Sequence, residues 1–302
     1  MSASTAYDQP SSWRRWHVPG SPTVKRRRLS AELIQLRERA GLTHDEVCRR
    51  LEWSRGRLTH MEQNKWTRPD IGNIRLLLDL YSVSDANIRE AILNLARQSR
   101  ERGWWQSYRD VFRGSLPGFE AEASQMRMYE IALIPGLLQT EAYATAIFRA
   151  GYGLQAGEAA VPRRVQGRMA RQAILTRDDP PRLWAVIDEA ALVKPVGGTQ
   201  VMREQLEHLV EMARRPNITI QVLPTMVGAH AAMACGFVIL DFPGDLDPSI
   251  VYLETFTDSL FLERPDEVQT YALLHNRGVS VALTADESIA YVTALTARLP
   301  QE

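Results

Sequence analysis

The sequence predicts a mixed architecture: an all-α N-terminal domain followed by an α+β C-terminal domain with an antiparallel sheet. Two changes near residue 103 predict it. Hydrophobic spacing is helical from Leu29 to about Arg102, and beyond that point strand-like runs alternate with helical ones. Charge reverses at the same place: residues 1–103 carry 19 Lys+Arg against 12 Asp+Glu, and residues 104–302 carry 17 against 24. A length of 302 residues suits about two domains. With 45% hydrophobic and 24% charged residues the chain has an ordinary globular mix, rich enough for packed cores.

Residues 1–24 are rich in Ser, Pro, Trp and Gly without periodicity, and Lys25-Arg26-Arg27-Arg28 completes what reads as a flexible basic arm over residues 1–28. The basic run suits either a solvated linker or an arm laid on phosphates or in a minor groove. Five short helices follow. Leu33, Leu36 and Ala40 share one face of the first, which Gly41 ends. Thr43-His44-Asp45-Glu46 is a capping box opening the second, with Val47, Cys48 and Leu51 inward. Ser54 is a cap for the third, with Leu58 and Met61 inward. Pro69-Asp70 starts the fourth, where Ile74, Leu77, Leu78 and Tyr81 repeat at helical spacing. Ser84 opens the fifth, with Ile88, Ile92, Leu95 and Ser99 on one side. The organisation expected is a reader over 29–82, a connecting helix over 83–103 and an α+β domain over 104–298.

In the second half, helices are expected at about 119–129, 140–150, 161–176, 199–214, 265–276 and 285–298. Strands are expected at Leu183–Ile187, Ile218–Leu223, Phe237–Phe242, Ile250–Glu254 and Leu260–Glu263. Short loops holding Pro243-Gly244-Asp245 and Thr257-Asp258 separate the last three, which suggests an antiparallel meander packed on helices.

Several function classes find no support. No run of about 18 apolar residues is present, and the N-terminus lacks the apolar segment of a secretory signal, so no membrane partner is expected. Cys48 and Cys235 are too few for a disulfide framework and read as reduced thiols in a cytoplasmic chain. The six histidines show no zinc-ligand spacing with cysteines, and no phosphate loop or nucleophile elbow occurs. No cofactor, metal or catalytic residue is assigned, and the protein is not expected to be an enzyme. The pairs Asp178-Asp179 and Asp188-Glu189 read as solvated surface or helix caps.

The segment LTHDEVCRRLEWSRGRLTHMEQNK carries the functional signal. Two short helices joined by Leu51-Glu52-Trp53 close on their inner residues, which leaves the first turn and outer face of the second pointing away. Arg55, Gly56, Arg57, Thr59 and His60 lie there. A helix presented this way fits a DNA major groove, where Arg makes bidentate bonds to guanine. Its N-terminus at Ser54, with Lys65 and Arg68, suits phosphates.

Residues 29–82 resemble the Xre-type (Cro/repressor-like) helix-turn-helix family. The resemblance implies base reading by Arg55, Arg57 and His60, a phosphate contact by His44 where the family usually has Gln, and a partly buried ion pair between Arg37 and Glu62. Glu52 stands where the family commonly has Gly, a strained choice if its φ is positive. Further on, WWQSYRDVF, Ile134-Pro135-Gly136-Leu137-Leu138-Gln139-Thr140 and Arg171-Gln172 resemble actinobacterial helix-turn-helix regulators with a shared C-terminal domain of unknown function. That likeness implies a pathway regulator of development or secondary metabolism, often paired with a small protein encoded nearby; a cytoplasmic, nucleoid-associated location is expected.

The expectation is therefore a regulator that binds double-stranded DNA as a homodimer, its second domain taking a small protein or an effector. An antitoxin-like protein whose main role is to sequester a small partner is the alternative. Trp104, Trp105, Tyr108 and His230 are the ligand or partner candidates of the second domain.

Overall fold

The computed structural model describes residues 21–66, 68–101, 103–112, 115–152, 157–243, 247–255 and 258–300. Residues 1–20 of the arm expected over 1–28, and parts of the loops expected at Pro243-Gly244-Asp245 and Thr257-Asp258, lie outside them. The chain divides into two compact units between Arg102 and Gly103.

The first unit is helical: α1 (Pro22–Arg39), α2 (His44–Arg50), α3 (Arg55–Glu62), α4 (Ile71–Leu80) and α5 (Ala86–Gln98). Residues 21–28 are not an arm. Ser21 Oγ accepts the Thr23 N–H at 3.1 Å, and Pro22 supplies the φ that a first helical position wants. Val24 and Arg27 are buried, and Arg26 Nη1 donates to the Ser99 carbonyl at 3.3 Å. Nor is α5 merely a connector. Ile92, Leu93, Leu95 and Ala96 join Leu29, Leu33, Val47, Leu58 and Ile74 in one core, so the domain reaches Gln98 rather than residue 82. The fifth helix is capped by Asp85, one residue after the expected Ser84.

Four successive helices end alike. At the ends of α1 to α4, Leu42, Trp53, Lys65 and Val83 each donate a backbone N–H five residues back, and Gly41, Glu52, Asn64 and Ser82 donate three back. Each of those four sits at positive φ, between 53° and 67°. Only Gly41 adopts that conformation without a Cβ penalty.

The second unit contains α6 (Leu116–Glu120), β1 (Gln125–Glu130), α7 (Glu141–Tyr152), α8 (Val161–Gln172), β2 (Arg182–Asp188), α9 (Glu189–Val193), α10 (Thr199–Met212) and β3 (Ile218–Leu223). Then come β4 (Phe237–Asp241), β5 (Ile250–Glu254), β6 (Ser259–Leu262), α11 (Pro265–Val281) and α12 (Ala285–Arg298). The sheet order is β3-β2-β1-β4-β5-β6. The expected meander β4-β5-β6 is antiparallel, but β1, β2 and β3 pair in parallel, so the sheet is mixed. The helix expected over 119–129 stops at Glu120, and Gln125–Glu130 is a strand between β2 and β4.

Tyr129, Val186, Phe237, Ile239 and Val251 form the face covered by Val268, Tyr271 and Ala272 of α11. Met126, Met128, Leu183, Ala185 and Ile187 alternate with that set and are buried on the opposite face. The run Ile134–Thr140 is a structural knot. Gln172 Nε2 donates to the Gly136 and Gln139 carbonyls at 3.1 and 2.7 Å, and Gln205 holds Leu138 O and Thr140 N–H. A Cβ on Gly136 would stand 2.2 Å from Arg168 Nη1, so the arginine can lie there only against a glycine.

Candidate nucleic-acid interface

The α2–α3 pair is built from caps. Thr43 and Glu46 exchange the reciprocal bonds of a capping box, Thr43 N–H to Glu46 Oε2 at 2.8 Å and Glu46 N–H to Thr43 Oγ1 at 3.3 Å. The Thr43 N–H and then the Thr43 hydroxyl, both donating to the carboxylate, hold the Glu46 carboxyl below its usual range. Helix α2 then turns through Leu51–Ser54, with Glu52 at φ 54°. Ser54 starts α3 without a side-chain cap, which leaves its hydroxyl exposed at the helix N-terminus. Leu58 and Met61 are buried, whereas Arg55, Gly56, Arg57 and His60 are exposed, so one side of α3 is core and the other is open to solvent.

The open side is pre-ordered by neighbours that the sequence reading did not single out. Arg55 Nη2 donates to Asp45 Oδ2 at 2.8 Å, both side chains well exposed. Arg57 Nη2 donates to Asn73 Oδ1 at 2.6 Å, and its guanidinium lies 4.4 Å from the Trp53 ring centroid. His60, Lys65 and Arg68 are exposed. A signal for Asn73 existed: it lies three residues after the Asp70 cap, in the first turn of α4, and donates its backbone N–H to that cap at 2.8 Å.

His44 is placed differently from Ser54, Lys65 and Arg68, which are exposed. Its Nε2 lies 3.1 Å from Thr59 Oγ1 and its Nδ1 3.7 Å from Cys48 Sγ, so the half-buried ring ties α2 to α3. Arg37 donates through Nε and Nη2 to the two oxygens of Glu62 at 2.7 and 3.2 Å, and through Nη1 to the Leu42 carbonyl at 3.1 Å. The hydrogen bonds to Glu62 raise the arginine's pKa further.

In the second unit the four candidate residues fall in two places. Trp104 makes edge contacts with Trp105, Tyr108 and Phe112, ring centroids 5.8–6.1 Å apart. Arg163 of α8 lies over Tyr108 and pairs with Asp110 at 3.2 Å. His230 belongs to a separate cluster at the C-terminal ends of β1 and β2. Its Nε2 is 3.2 Å from Tyr129 Oη, which is 3.4 Å from Asp188 Oδ2, while its buried Nδ1 has no hydrogen-bond partner. Asp188 also caps α9, and Glu189 accepts the Thr225 N–H at 2.7 Å and the Tyr291 hydroxyl. Among the described residues no group of His, Cys, Asp and Glu is arranged to hold a metal ion, and no helix is long and apolar enough to cross a membrane.

Two family models match this chain. Residues 28–91 match a helix-turn-helix domain, and residues 114–294 match a domain of unknown function, DUF5753. No curated protein and no solved structure matches it.

Proposed function

The chain belongs to the DUF5753 family, matched over residues 114–294, and carries a helix-turn-helix domain in front of that region; from this premise we propose that it is a sequence-specific DNA-binding transcriptional regulator. The observation that carries the reading is the two-sidedness of α3. Leu58 and Met61 are spent on the core, while Arg55, Arg57 and His60 leave the surface on the other side. Laid in a major groove, the two guanidiniums reach guanine edges and the imidazole a neighbouring base.

Ser54, the backbone N–H groups of the first α3 turn, Lys65 and Arg68 take phosphates. His44 has a different role from the one its position in the Xre pattern suggests. With both ring nitrogens turned to Thr59 and Cys48, it braces the reading helix on α2. Binding exchanges the Arg55–Asp45 and Arg57–Asn73 contacts for contacts to DNA, so both side chains are held close to their working positions beforehand.

One such unit covers only a short stretch of duplex, and a homodimer on paired half-sites about one helical turn apart supplies the remaining specificity. The DUF5753 region binds a small protein partner or an effector, and a cytoplasmic, nucleoid-associated location follows from the DNA role. The likeness of the motifs to actinobacterial Xre-type regulators supports this reading. The same likeness supports the rival, an antitoxin-like protein whose main work is to sequester a small partner. Selection of bound duplexes from a random pool by the full chain tests the proposal. Enrichment of a paired motif supports it, and recovery of an unenriched pool contradicts it.

A further inference from the structure

The second unit holds a cleft of about 300 Å³ between the turn at Trp104, helix α6 and the C-terminal end of α8. Small-molecule sites fall at about 300–1,000 Å³, so this one suits a ligand of one or two rings. Its lining is mostly apolar, with Trp104, Pro117, Ala121, Ala170, Ala173 and Ile174, and the indole offers one flat face. Trp104 is 41% exposed although three aromatic neighbours steady its ring, which makes it a standing wall rather than a core residue.

The charges at the cleft are unequal. Glu120 and Arg171 cancel, with Arg171 Nε and Nη2 each donating to one Glu120 oxygen at 2.6 Å, the carboxylate buried. Arg177 has no such counter-ion among the described residues. Its Nε and Nη1 donate to the backbone carbonyls of Asp179 and Ala121 at 2.6 and 2.7 Å. An apolar slot edged by one guanidinium that makes no ion pair is complementary to a flat apolar body carrying one negative charge.

We propose that this cleft binds a planar aromatic carboxylate, its rings against Trp104 and the alanines and its carboxylate on Arg177. Trp104 follows the end of α5 by six residues in the chain, which puts the cleft next in sequence to the first unit. We assign the ligand the part of an effector, a role that rests on the DNA reading proposed above, whereas the site itself does not.

The test uses the full chain without DNA, 2-naphthoate as probe and 2-naphthylmethanol as its neutral counterpart. Saturable binding of one 2-naphthoate per chain is expected, followed by tryptophan fluorescence, with the alcohol about tenfold weaker. Ala173→Phe, which fills the slot, and Trp104→Leu, which removes its wall, are each expected to weaken 2-naphthoate about tenfold with unchanged far-ultraviolet circular dichroism. Absence of saturable binding, or binding unaffected by Ala173→Phe, overturns the site. Equal binding of acid and alcohol overturns the choice of an anion. A second titration, of selected duplex with and without saturating 2-naphthoate, addresses the effector role alone. An unchanged DNA affinity overturns that role and leaves the site and the DNA reading standing.

Discussion

Arg37 and Glu62 join the first helix to the last turn of the third by two hydrogen bonds, Nε to Oε1 at 2.7 Å and Nη2 to Oε2 at 3.2 Å. Both side chains are nearly buried, at 14% and 11% exposure, so the pair is shielded from salt and from competing water. It fixes where α3 stands on the domain, and therefore where Arg55, Arg57 and His60 point.

Breaking that clamp on one side leaves a partly buried charge without its partner. Glu62→Ala is expected to destabilise the first unit by about 1–3 kcal/mol, and Glu62→Gln, which keeps an acceptor oxygen, by less. Urea unfolding of the full chain followed by a probe in the first unit checks both. Equal stability of Glu62→Ala and wild type would show that the pair is only a surface contact.

Glu52 sits at φ 54° at the end of α2, in the position that Gly41 fills at the end of α1. A residue with a Cβ pays roughly 1–2 kcal/mol in this region, and part of that is regained when glycine replaces it. Glu52→Gly is accordingly expected to stabilise the unit by about 0.5–1 kcal/mol, read as a higher urea midpoint. A lower midpoint would mean that the Glu52 side chain supports the turn.

Asp45 holds Arg55 in an ion pair at 2.8 Å. Asp45→Asn is expected to tighten DNA binding several-fold, because it removes one negative charge and frees the guanidinium. Lys65→Ala is expected to weaken all duplexes alike and to lower the slope of log affinity on log salt by about one unit. Filter binding across a salt series measures both effects, and an unchanged slope removes Lys65 from the phosphate contacts.

The second unit carries a buried base. His275 is 1% exposed, its ring edge-on to Trp184, and neither ring nitrogen has a hydrogen-bond partner of normal geometry. Burial first, then Arg127, push its pKa down to about 4, with Trp184 and Asp241 opposing. Between about 4 and the unfolded value near 6.5 the unfolded chain binds more protons. The stability His275 contributes is thus fully present above about 6.5 and lost as pH falls toward 4. Glu130 works in the opposite sense. Enclosure by protein first, then Glu254, push it up to about 7, so its contribution is present below about 4.5 and lost as pH rises through 7. Comparing His275→Phe with wild type isolates the histidine. Between pH 7 and pH 4.5 the variant is expected to gain about 1–3 kcal/mol relative to wild type in urea unfolding, and a pH-independent difference would refute the assignment.

Most of the first unit was legible in the sequence because its signals are local. The Thr43/Glu46 box, the Asp70 cap and the spacing of Ile74, Leu77 and Leu78 depend only on neighbours a turn away. What Pro22 starts was missed because the basic run after it resembles a tail, and its burial against Ser99 is a tertiary event. In the second unit Gln125–Glu130 reads as helix because methionine and glutamate favour helices, yet pairing with β2 and β4 overrides that preference. Parallel pairing of β1, β2 and β3 leaves no local mark that separates it from a meander. The turning of His44 onto Thr59 was equally hidden, since its position on α2 allows an inward or an outward ring.

Base reading by the arginines of α3 is the proposal on which the other DNA predictions depend. Its most direct test is a titration of Arg55→Ala and Arg57→Ala against the duplex that wild type selects and against a scrambled duplex of the same length. Each variant is expected to lose about 1–3 kcal/mol on the selected duplex and much less on the scrambled one, with the fold intact by circular dichroism. Unchanged affinity and unchanged discrimination in both variants would contradict it.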